Sequence, residues 1–379
     1  MQDNFSQDNN NSVSGDNFED TLMPENTENN NFEGGESNDP NLDIGQENSV
    51  APVSNNDNVL DVDSEFGGDL ATAIASANSG DTVRLGSNTY STNGITIDKN
   101  ITIDGNGGSV IDGNGTSGTI LTLGQGASGA TVRNVQITNG NNGIFGNGAT
   151  NLTLENLNIN NIGLNGTNRS GENNTGIIMF GADGLQLRNS NFQGIGRKAV
   201  GLGDTNGAEI SGLSVRDVNL AAEHAQSHDA AGVKLYNTNN VAVRNSNFAD
   251  INAFNIWNDT ASNTTIEGNT VQNVGEDFLA PGFNNNVNIA GIYDEKSSST
   301  RVSGNSGTSV ADRFLVFDAT EFSSQSIDFG DNDFSHYQLG TQDYWFNEQA
   351  EKLIATTEDP TAVGFNSVSS EYYGQANIG

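Results

Sequence analysis

The chain has 379 residues, and 48 acidic against 14 basic side chains give it a formal net charge of −34 at pH 7. We therefore expect no nucleic acid as a partner, because phosphate binding needs clustered Lys and Arg. We also expect no insertion into a membrane, because no apolar run is long enough to cross one. The absence of cysteine excludes disulfides, thiol catalysis and thiolate metal sites.

The first 63 residues are rich in Asn, Asp, Glu, Ser and Gly and poor in aliphatic side chains. They hold 15 Asp or Glu and no Lys or Arg. Such a segment buries too little apolar surface to offset its ordering entropy, so we predict a disordered acidic tail over 1–63. The opening residues, "MQDNFSQDNNNSVSG", lack the basic and apolar regions of a signal peptide.

A short helix is predicted where the composition changes, in "FGGDLATAIASANSGDTVRL". Asp69 is a suitable N-cap, and Leu70, Ala73, Ile74 and Ala77 share one apolar helical face. "NSGD" ends the helix, and "TVRL" predicts the strand that follows.

An internal repeat organises the rest of the chain. Seven segments align: "TVRNVQI", "TLENLNI", "QLRNSNF", "EISGLSV", "AVRNSNF", "TIEGNTV" and "RVSGNSG". Their fourth residues are Asn134, Asn156, Asn189, Gly212, Asn245, Gly268 and Gly304. The spacing alternates between 22 or 23 residues and 33 or 36 residues. Short strands at this period form a core only when they stack as coils, and Asn or Gly suits a turn with a left-handed backbone.

The repeat "GVKLYNTNNVAVRNSNFADI" and the opening "LATAIASANSGDTVRL" resemble the right-handed parallel β-helix proteins of the pectin lyase-like superfamily. The resemblance implies an all-β fold: a right-handed parallel β-helix solenoid over 64–335, with an N-terminal capping helix. Residues 336–379 are then a C-terminal cap segment, in which "NEQAEKLIATTEDP" predicts a helix after Asn347. The Asn-Thr-Asp and Gly-His-Gly signatures of the family's polygalacturonases, and the Asp-Pro-His motif of its mannuronan epimerases, are missing, so no catalytic residue is carried over.

Every second repeat carries an insertion, at about 164–174, 220–230 and 276–288. All three enter at the same turn and lead into a Gly-x-aliphatic strand. In a stack they project from one edge, about 10 Å apart, and we expect them to form the wall of a binding site. Tolerated surface insertions are the alternative.

Alternation along the strands after these insertions predicts two outward columns of side chains. The first contains Phe145, Ile178, Gly201, Lys234, Trp257 and Tyr293. The second contains Asn147, Phe180, Gly203, Tyr236, Asp259, Glu295 and, if the phase holds, Asp318. Exposed aromatic rings beside carboxylates are the mixture that binds sugars.

Adjacent carboxylates suggest chemistry at the end of the second column. Asp259 and Glu295 are predicted to lie about 5 Å apart at the backbone, which resembles the carboxyl spacing of a retaining glycosidase. Together with Asp318 they are also candidate ligands for Ca²⁺. Stacked solvated acids are an equally weighted alternative.

Basic and imidazole side chains supply a second set of candidates. His224 and His228 have i, i+4 spacing but lack a zincin glutamate, and such a pair in a polar loop is more often structural or solvent-exposed than metal-ligating. Their expected position above Lys234 and Tyr236 makes them acid–base candidates. Arg197 and its neighbour Lys198 could neutralise a substrate carboxylate, although solvation is the commoner fate of such a pair.

These features predict an extracellular or cell-surface protein, most simply a monomer, that acts on a polysaccharide. As a polysaccharide lyase or epimerase it would use His228 or Tyr236 as base and Lys234 as charge neutraliser; as a glycoside hydrolase it would use Asp259 and Glu295. The substrate-binding candidates are His224, Arg197, Trp257, Tyr293 and Phe180, and Ca²⁺ is the candidate cofactor. The alternative is a non-catalytic protein for carbohydrate binding, adhesion or a surface matrix.

Overall fold

A computed structural model describes residues 58–164, 174–219, 230–252, 254–274, 290–295, 297–310, 313–318, 327–330, 333–336 and 344–346. Two short helices, α1 (Val62–Phe66) and α2 (Leu70–Ser76), and a 3₁₀ turn (Gln125–Ala127) accompany the strands. Among these residues no helix is long and apolar enough to cross a membrane.

The strands are short except for two that run through several turns of the chain. In chain order they are β1 (Val59–Asp61), β2 (Thr82–Arg84), β3 (Thr89–Ser91), β4 (Ile95–Ile97), β5 (Thr102–Leu123), β6 (Thr131–Asn147), β7 (Thr153–Glu155), β8 (Asn158–Ile162), β9 (Thr175–Phe180), β10 (Gln186–Arg188), β11 (Asn191–Ile195), β12 (Lys198–Gly203), β13 (Glu209–Ser211), β14 (Ser214–Val218), β15 (Ala231–Tyr236), β16 (Ala242–Arg244), β17 (Asn247–Ile251), β18 (Phe254–Asp259), β19 (Thr265–Glu267), β20 (Thr270–Val274), β21 (Ala290–Glu295), β22 (Thr300–Ser303), β23 (Ser306–Val310), β24 (Arg313–Asp318), β25 (Ile327–Gly330), β26 (Asp333–His336) and β27 (Tyr344–Phe346).

Parallel pairing arranges the strands in three stacks, so that each coil adds one strand to each stack. Stack 1 contains β2, β7, β10, β13, β16, β19, β22 and β25, stack 2 contains β3, β8, β11, β14, β17, β20, β23 and β26, and stack 3 contains β4, β9, β12, β15, β18, β21, β24 and β27. The long strands β5 and β6 pass through all three stacks. The predicted parallel β-helix is therefore confirmed.

The helix at the start of the solenoid is confirmed as well. The Asp69 side chain accepts hydrogen bonds from the Thr72 N–H (3.0 Å) and hydroxyl (2.7 Å), which caps α2. Leu70, Ala73 and Ile74 on its predicted apolar face are buried in the same core as the strands.

Strand pairing extends beyond both predicted boundaries of the β-helix. β1 pairs with β2, and Val62 of the short helix α1, which was not predicted, is fully buried, so the solenoid starts before residue 64. At the other end β27 pairs with β24 beyond residue 335. The rest of the predicted tail, and the helix predicted after Asn347, lie outside the described residues.

The turn between stacks 1 and 2 has the backbone that its sequence predicts. Its φ angles are 56° at Asn134, 53° at Asn156, 49° at Asn189 and 65° at Gly212, and the later repeats follow the same pattern. The Asn156 side-chain amide also donates to the side-chain oxygen Oδ1 of Asn134, at 3.2 Å. Left-handed backbone is accessible to Gly and, at modest cost, to Asn, which explains why each of the seven repeats has one of these two residues here.

The left-handed turn gives a prediction for Gly268, whose φ is 65°. Gly268→Val should lower the free energy of unfolding by roughly 1–3 kcal/mol, because a β-branched residue is strained in this conformation. Gly268→Asn is the matched control, since Asn245 occupies the same place one coil earlier with φ 49°. Urea midpoints for the two variants measure the difference, and equal midpoints would contradict the assigned backbone requirement.

Candidate functional site

The outer side of stack 3 has the register that the sequence predicts. Gly201, Lys234, Trp257 and Tyr293 pair directly from strand to strand in the first column. In the second column the pairs run from Gly203 through Tyr236, Asp259 and Glu295 to Asp318. Asp259 and Glu295 are thus immediate neighbours on β18 and β21.

The first column is not the exposed aromatic surface that we expected. Only 7% of Lys234, 5% of Trp257 and 7% of Tyr293 is exposed. Trp257 and Tyr293 pack against Phe254, with ring centroids 4.8 Å from the Phe254 ring in each case. The expectation of exposure was wrong because it counted alternation alone and overlooked packing between side chains on the same outer face.

Phe254 completes this outer aromatic cluster, although strict alternation places it on the inside. It lies in one buried cluster with Ala231, Trp257 and Tyr293, separate from the solenoid core. The chain bends where it enters stack 3: a Cβ on Gly232 would lie 2.8 Å from the core ring of Phe248. The sequence signal of this bend is the glycine at the second position of β15, Gly232.

Lys234 joins the aromatic cluster to a carboxylate. Its Nζ lies 3.7 Å from the centroid of the Trp257 ring, 6.0 Å from that of Tyr236 and 3.6 Å from Asp259 Oδ2. The Thr260 hydroxyl donates to the other carboxylate oxygen, Oδ1, at 2.8 Å. A cation shared between aromatic faces and a carboxylate is favourable when water is largely excluded. The arrangement holds Asp259 in one orientation at the edge of the cluster.

Arg197 and Lys198 are buried, with 6% and 1% of their surface exposed, so the expectation that they are solvated was wrong. The Arg197 N–H donates to the Asn174 carbonyl at 3.0 Å, which fixes the bend between stacks 2 and 3. Lys198 Cδ lies 3.7 Å from the position that a Cβ on Gly201 would occupy. The stem of Lys198 therefore runs along β12 to Gly201, the residue that pairs with Lys234.

The second column is more accessible and contains aromatic rings. Phe180 and Tyr236 are half-buried. The Phe180 ring lies across Gly203, where a Cβ would be 2.6 Å from the ring, and its centroid is 6.4 Å from that of Phe145. Phe145 belongs to the first column but extends this partly exposed row of rings, which from Phe145 to Asp259 spans five coils, or about 19 Å at the usual strand spacing.

The predicted histidines, His224 and His228, lie outside the described residues. The flanking strands nevertheless fix where the insertions leave the coil. They connect β8 to β9, β14 to β15 and β20 to β21, and so all enter between stack 2 and stack 3. This is the edge of stack 3 beside the aromatic cluster.

A calcium site remains a prediction. Among the described residues, no group of three His, Asp or Glu side chains comes together in a way that could hold a metal. The contact of Asp259 with Lys234 also disfavours a cation at that carboxylate, because like charges at such short range repel.

The sequence did not single out Asp294, which lies directly behind this surface. It faces inward and is buried, and its Oδ1 accepts a hydrogen bond of 2.6 Å from the Asn258 amide. The pKa of Asp294 is raised to about 6, chiefly because burial disfavours its charged form. Hydrogen bonds from Asn258, Thr300 and Ser297 oppose this rise in pKa, and the charge of Asp259 adds a smaller contribution to it. The sequence signal that could have identified Asp294 is a carboxylate at an inward strand position, which Leu235 occupies two coils earlier.

Asp294 should make the stability of the protein depend on pH. With a folded pKa of about 6 against a model value of 3.8, the folded state holds the proton more tightly. The free energy of unfolding should therefore fall as pH rises from about 3 to about 7, by about 3 kcal/mol in total from this group. Urea midpoints of the native protein and Asp294→Asn should converge at low pH, with the variant more stable at neutral pH. A difference that does not vary with pH would contradict the assignment.

No protein-family model matches the chain, and no curated protein matches it. Solved structures do. A GH87 α-1,3-glucanase catalytic domain in complex with nigerose is 12% identical, with a TM-score of 0.50, over 72% of this chain and 57% of its own. A GH136 lacto-N-biosidase from Eubacterium ramulus is 12% identical, with a TM-score of 0.40, over 73% and 64%. The active domain of tailspike protein 2 from bacteriophage CBA120 is 11% identical, with a TM-score of 0.44, over 73% and 44%. The chain spans about half of the length of these proteins. At 12% identity, the likeness to the glucanase shows a shared fold alone, the parallel β-helix.

Proposed function

We propose that the protein is a glycoside hydrolase that acts on an extracellular, uncharged polysaccharide along the outer face of stack 3. The observation that carries the proposal is the direct pairing of Asp259 with Glu295 on adjacent strands, in the column that also contains Phe180 and Tyr236. Adjacent strands lie about 4.8 Å apart, which matches the carboxyl separation of about 5–5.5 Å in retaining glycosidases.

The surroundings of Asp259 suit the nucleophile of such a pair. Lys234 Nζ, 3.6 Å away, is an ion-pair partner for its carboxylate, and the Thr260 hydroxyl fixes one of its oxygens. In the first step Asp259 would form a bond to the anomeric carbon while Glu295 gives its proton to the departing glycosidic oxygen. In the second step Glu295 would take a proton from water, and the resulting hydroxide equivalent would release Asp259.

The row of rings leading to this pair suits a sugar chain. The partly exposed Phe145, Phe180 and Tyr236 present apolar faces on which sugar rings can stack. A net charge of −34 repels polyanions, so an uncharged glycan is the better substrate class. The fold is shared with a glucanase in complex with the disaccharide nigerose, which is consistent with this substrate class.

A lyase or epimerase is less well supported by the same contacts. Lys234 is the residue that would neutralise a uronate carboxylate, but it is nine-tenths buried and already contacts Asp259. The contact between Lys234 and Asp259 is therefore better explained by a hydrolase, in which Lys234 is the ion-pair partner of the nucleophile, than by a lyase or epimerase.

Isosteric substitutions test the assigned pair. Asp259→Asn and Glu295→Gln should each lower the rate of reducing-end release from an uncharged glycan by about a hundredfold or more, since each removes an acid–base or nucleophilic group. Glu155→Gln, an outward acid on stack 1, is the matched control and should retain activity.

A panel of uncharged and uronate glycans would separate the alternatives. Reducing ends without ultraviolet-absorbing unsaturated products support hydrolysis, whereas unsaturated products would identify a lyase. Retained glycan binding with no product from any member of the panel would replace the proposal with a non-catalytic binding protein. Undiminished turnover by Asp259→Asn would exclude Asp259 as the nucleophile.

A further inference from the structure

Strand β12 presents two glycines, Gly201 and Gly203, at its outward positions on stack 3. At the position of Gly203, the preceding strand β9 has Phe180 and the following strand β15 has Tyr236. Neither glycine has a left-handed backbone, so conformation does not require glycine at either position. Glycine inside a strand weakens it and often marks a place that another group approaches closely. The missing side chain, rather than backbone freedom, is therefore what these positions supply.

The Phe180 ring uses the space that Gly203 leaves. Its Cδ1 and Cε1 atoms lie 2.6 and 2.7 Å from the position that a Cβ on Gly203 would take, and its Cγ lies at 3.8 Å. Cβ atoms essentially never come so close to another heavy atom, so any side chain at this position would displace the ring. A Cβ on Gly201 would meet its nearest atoms at 3.7 and 3.9 Å, which is ordinary van der Waals contact. Close approach therefore explains Gly203 but not Gly201.

The ring of Phe180 is thereby held in one place before any ligand binds. It reaches from β9 over β12, and its centroid lies 6.4 Å from that of Phe145 at an interplanar angle of 58°. Phe180 nevertheless stays only half-buried, as does Tyr236 on β15. An apolar surface that is fixed in advance loses little conformational entropy when a ligand stacks on it.

Hydrogen-bonding groups lie beside the ring, in the turns that follow β12 and β15. Asp204 and Asn237 come directly after Gly203 and Tyr236, and both are exposed. The Asn237 amide donates to Asp204 Oδ1 at 2.5 Å, which joins the turns of two neighbouring coils. A partly exposed ring beside amide and carboxylate groups offers an apolar surface together with partners for hydroxyl groups. This combination fits a sugar unit.

Three strand spacings separate the position of Phe180 from that of Asp259. The strands β9, β12, β15 and β18 pair in succession, so the two positions lie about 14 Å apart along the stack. A hexose unit extends a glycan chain by about one strand spacing, roughly 5 Å. A sugar stacked on Phe180 would thus be two or three units from the bond that Asp259 attacks. One coil further on, Asn147 is exposed, so the described part of the row does not end at Phe180.

We infer that Phe180, held over Gly203, binds a sugar unit remote from the point of cleavage and makes the protein select long glycan chains and cut them internally. The inference rests on the proposed function for the place of cleavage. Only a chain of sufficient length reaches both Phe180 and Asp259, so the contact favours long chains over disaccharides. Because the contact is the same in the ground state and the transition state, it should act on KM rather than on kcat.

Two glycine variants on one strand test the binding part without turnover. Both are made in Asp259→Asn protein, so that the probes, size-fractionated uncharged glucan, xylan and mannan chains, stay intact. Gly203→Ala should weaken binding of the longest chains by about tenfold, because its Cβ displaces the Phe180 ring. Gly201→Ala is the matched control and should leave binding unchanged, since its Cβ makes only ordinary contacts. Affinity electrophoresis measures both, and equal binding by the two variants, or no binding of any probe, would overturn the inference.

Substitution of Phe180 itself gives the same readout without a new side chain on β12. Phe180→Ala should lose the same affinity for long chains, whereas Phe180→Tyr keeps the ring and should retain it. Urea midpoints establish that each variant is folded at the temperature of the assay. Undiminished binding of long chains by folded Phe180→Ala would contradict the role of Phe180.

The pattern of cleavage tests the catalytic part separately, in protein with Asp259 intact. The viscosity of a long uncharged chain should fall before many reducing ends appear, and Phe180→Ala should raise KM for that chain about tenfold with kcat unchanged. Release of short products alone from the first turnovers, with KM unaltered in Phe180→Ala, would overturn the inference and leave the proposed function intact. Binding that depends on Phe180 in a protein that cleaves no glycan would keep the sugar-binding residue and overturn the proposed function.

Discussion

The register between parallel coils is the constraint on which the rest of this structure depends. Each strand pairs residue for residue with its equivalents on neighbouring coils, so a side chain is surrounded by its counterparts one repeat away. Left-handed turns hold this register: Asn134, Asn156 and Asn189 all have φ near 50°. A shift by one residue would exchange the core and the surface along a whole strand. The position of Asp259 beside Glu295 is therefore a property of the repeat.

The same register gives the outer faces of the three stacks different chemistry. Stack 1 contains ion pairs between coils, such as Arg133 with Asp104 at 2.9 Å. Stack 2 contains amide contacts, such as the Asn191 amide donating to Asn158 at 3.2 Å. Such exposed pairs contribute little stability individually, but they keep the long flat faces polar. Among the residues that the structure describes, stack 3 alone has a buried apolar cluster outside the core, formed largely by aromatic rings. Its outer surface is packed rather than merely solvated, which distinguishes it as the candidate site.

The repeat explains why the sequence predicts the fold and the order of residues on each face so well. Period, turn residues and alternation are local properties, and they place Tyr236, Asp259 and Glu295 in one column. Burial depends on contacts between coils and at bends, and local patterns do not report it. Lys234 and Trp257 were therefore predicted on the right face with the wrong exposure. Asp294 was missed for a related reason: an inward carboxylate conflicts with the pattern, and it is accommodated by hydrogen bonds from Asn258 on the neighbouring coil and from Ser297 and Thr300 after its own strand.

The distribution of buried charge is a physical reason to locate function on these coils. Among the described residues the buried charged side chains are Asp81, Arg197, Lys198, Lys234 and Asp294. Asp81 has a structural explanation, because its carboxylate accepts backbone hydrogen bonds from Asn58 and Asn78 near the start of the solenoid. The other four lie on the coils that form or support the outer face of stack 3. Burying a charge is costly unless it is paired, and apolar residues of similar size usually stabilise a core at least as well. Earlier coils have Leu or Met at the inward position that Asn258 and Asp294 occupy on the coils of the proposed catalytic pair. Local departures of this kind from an apolar core pattern are expected at functional sites.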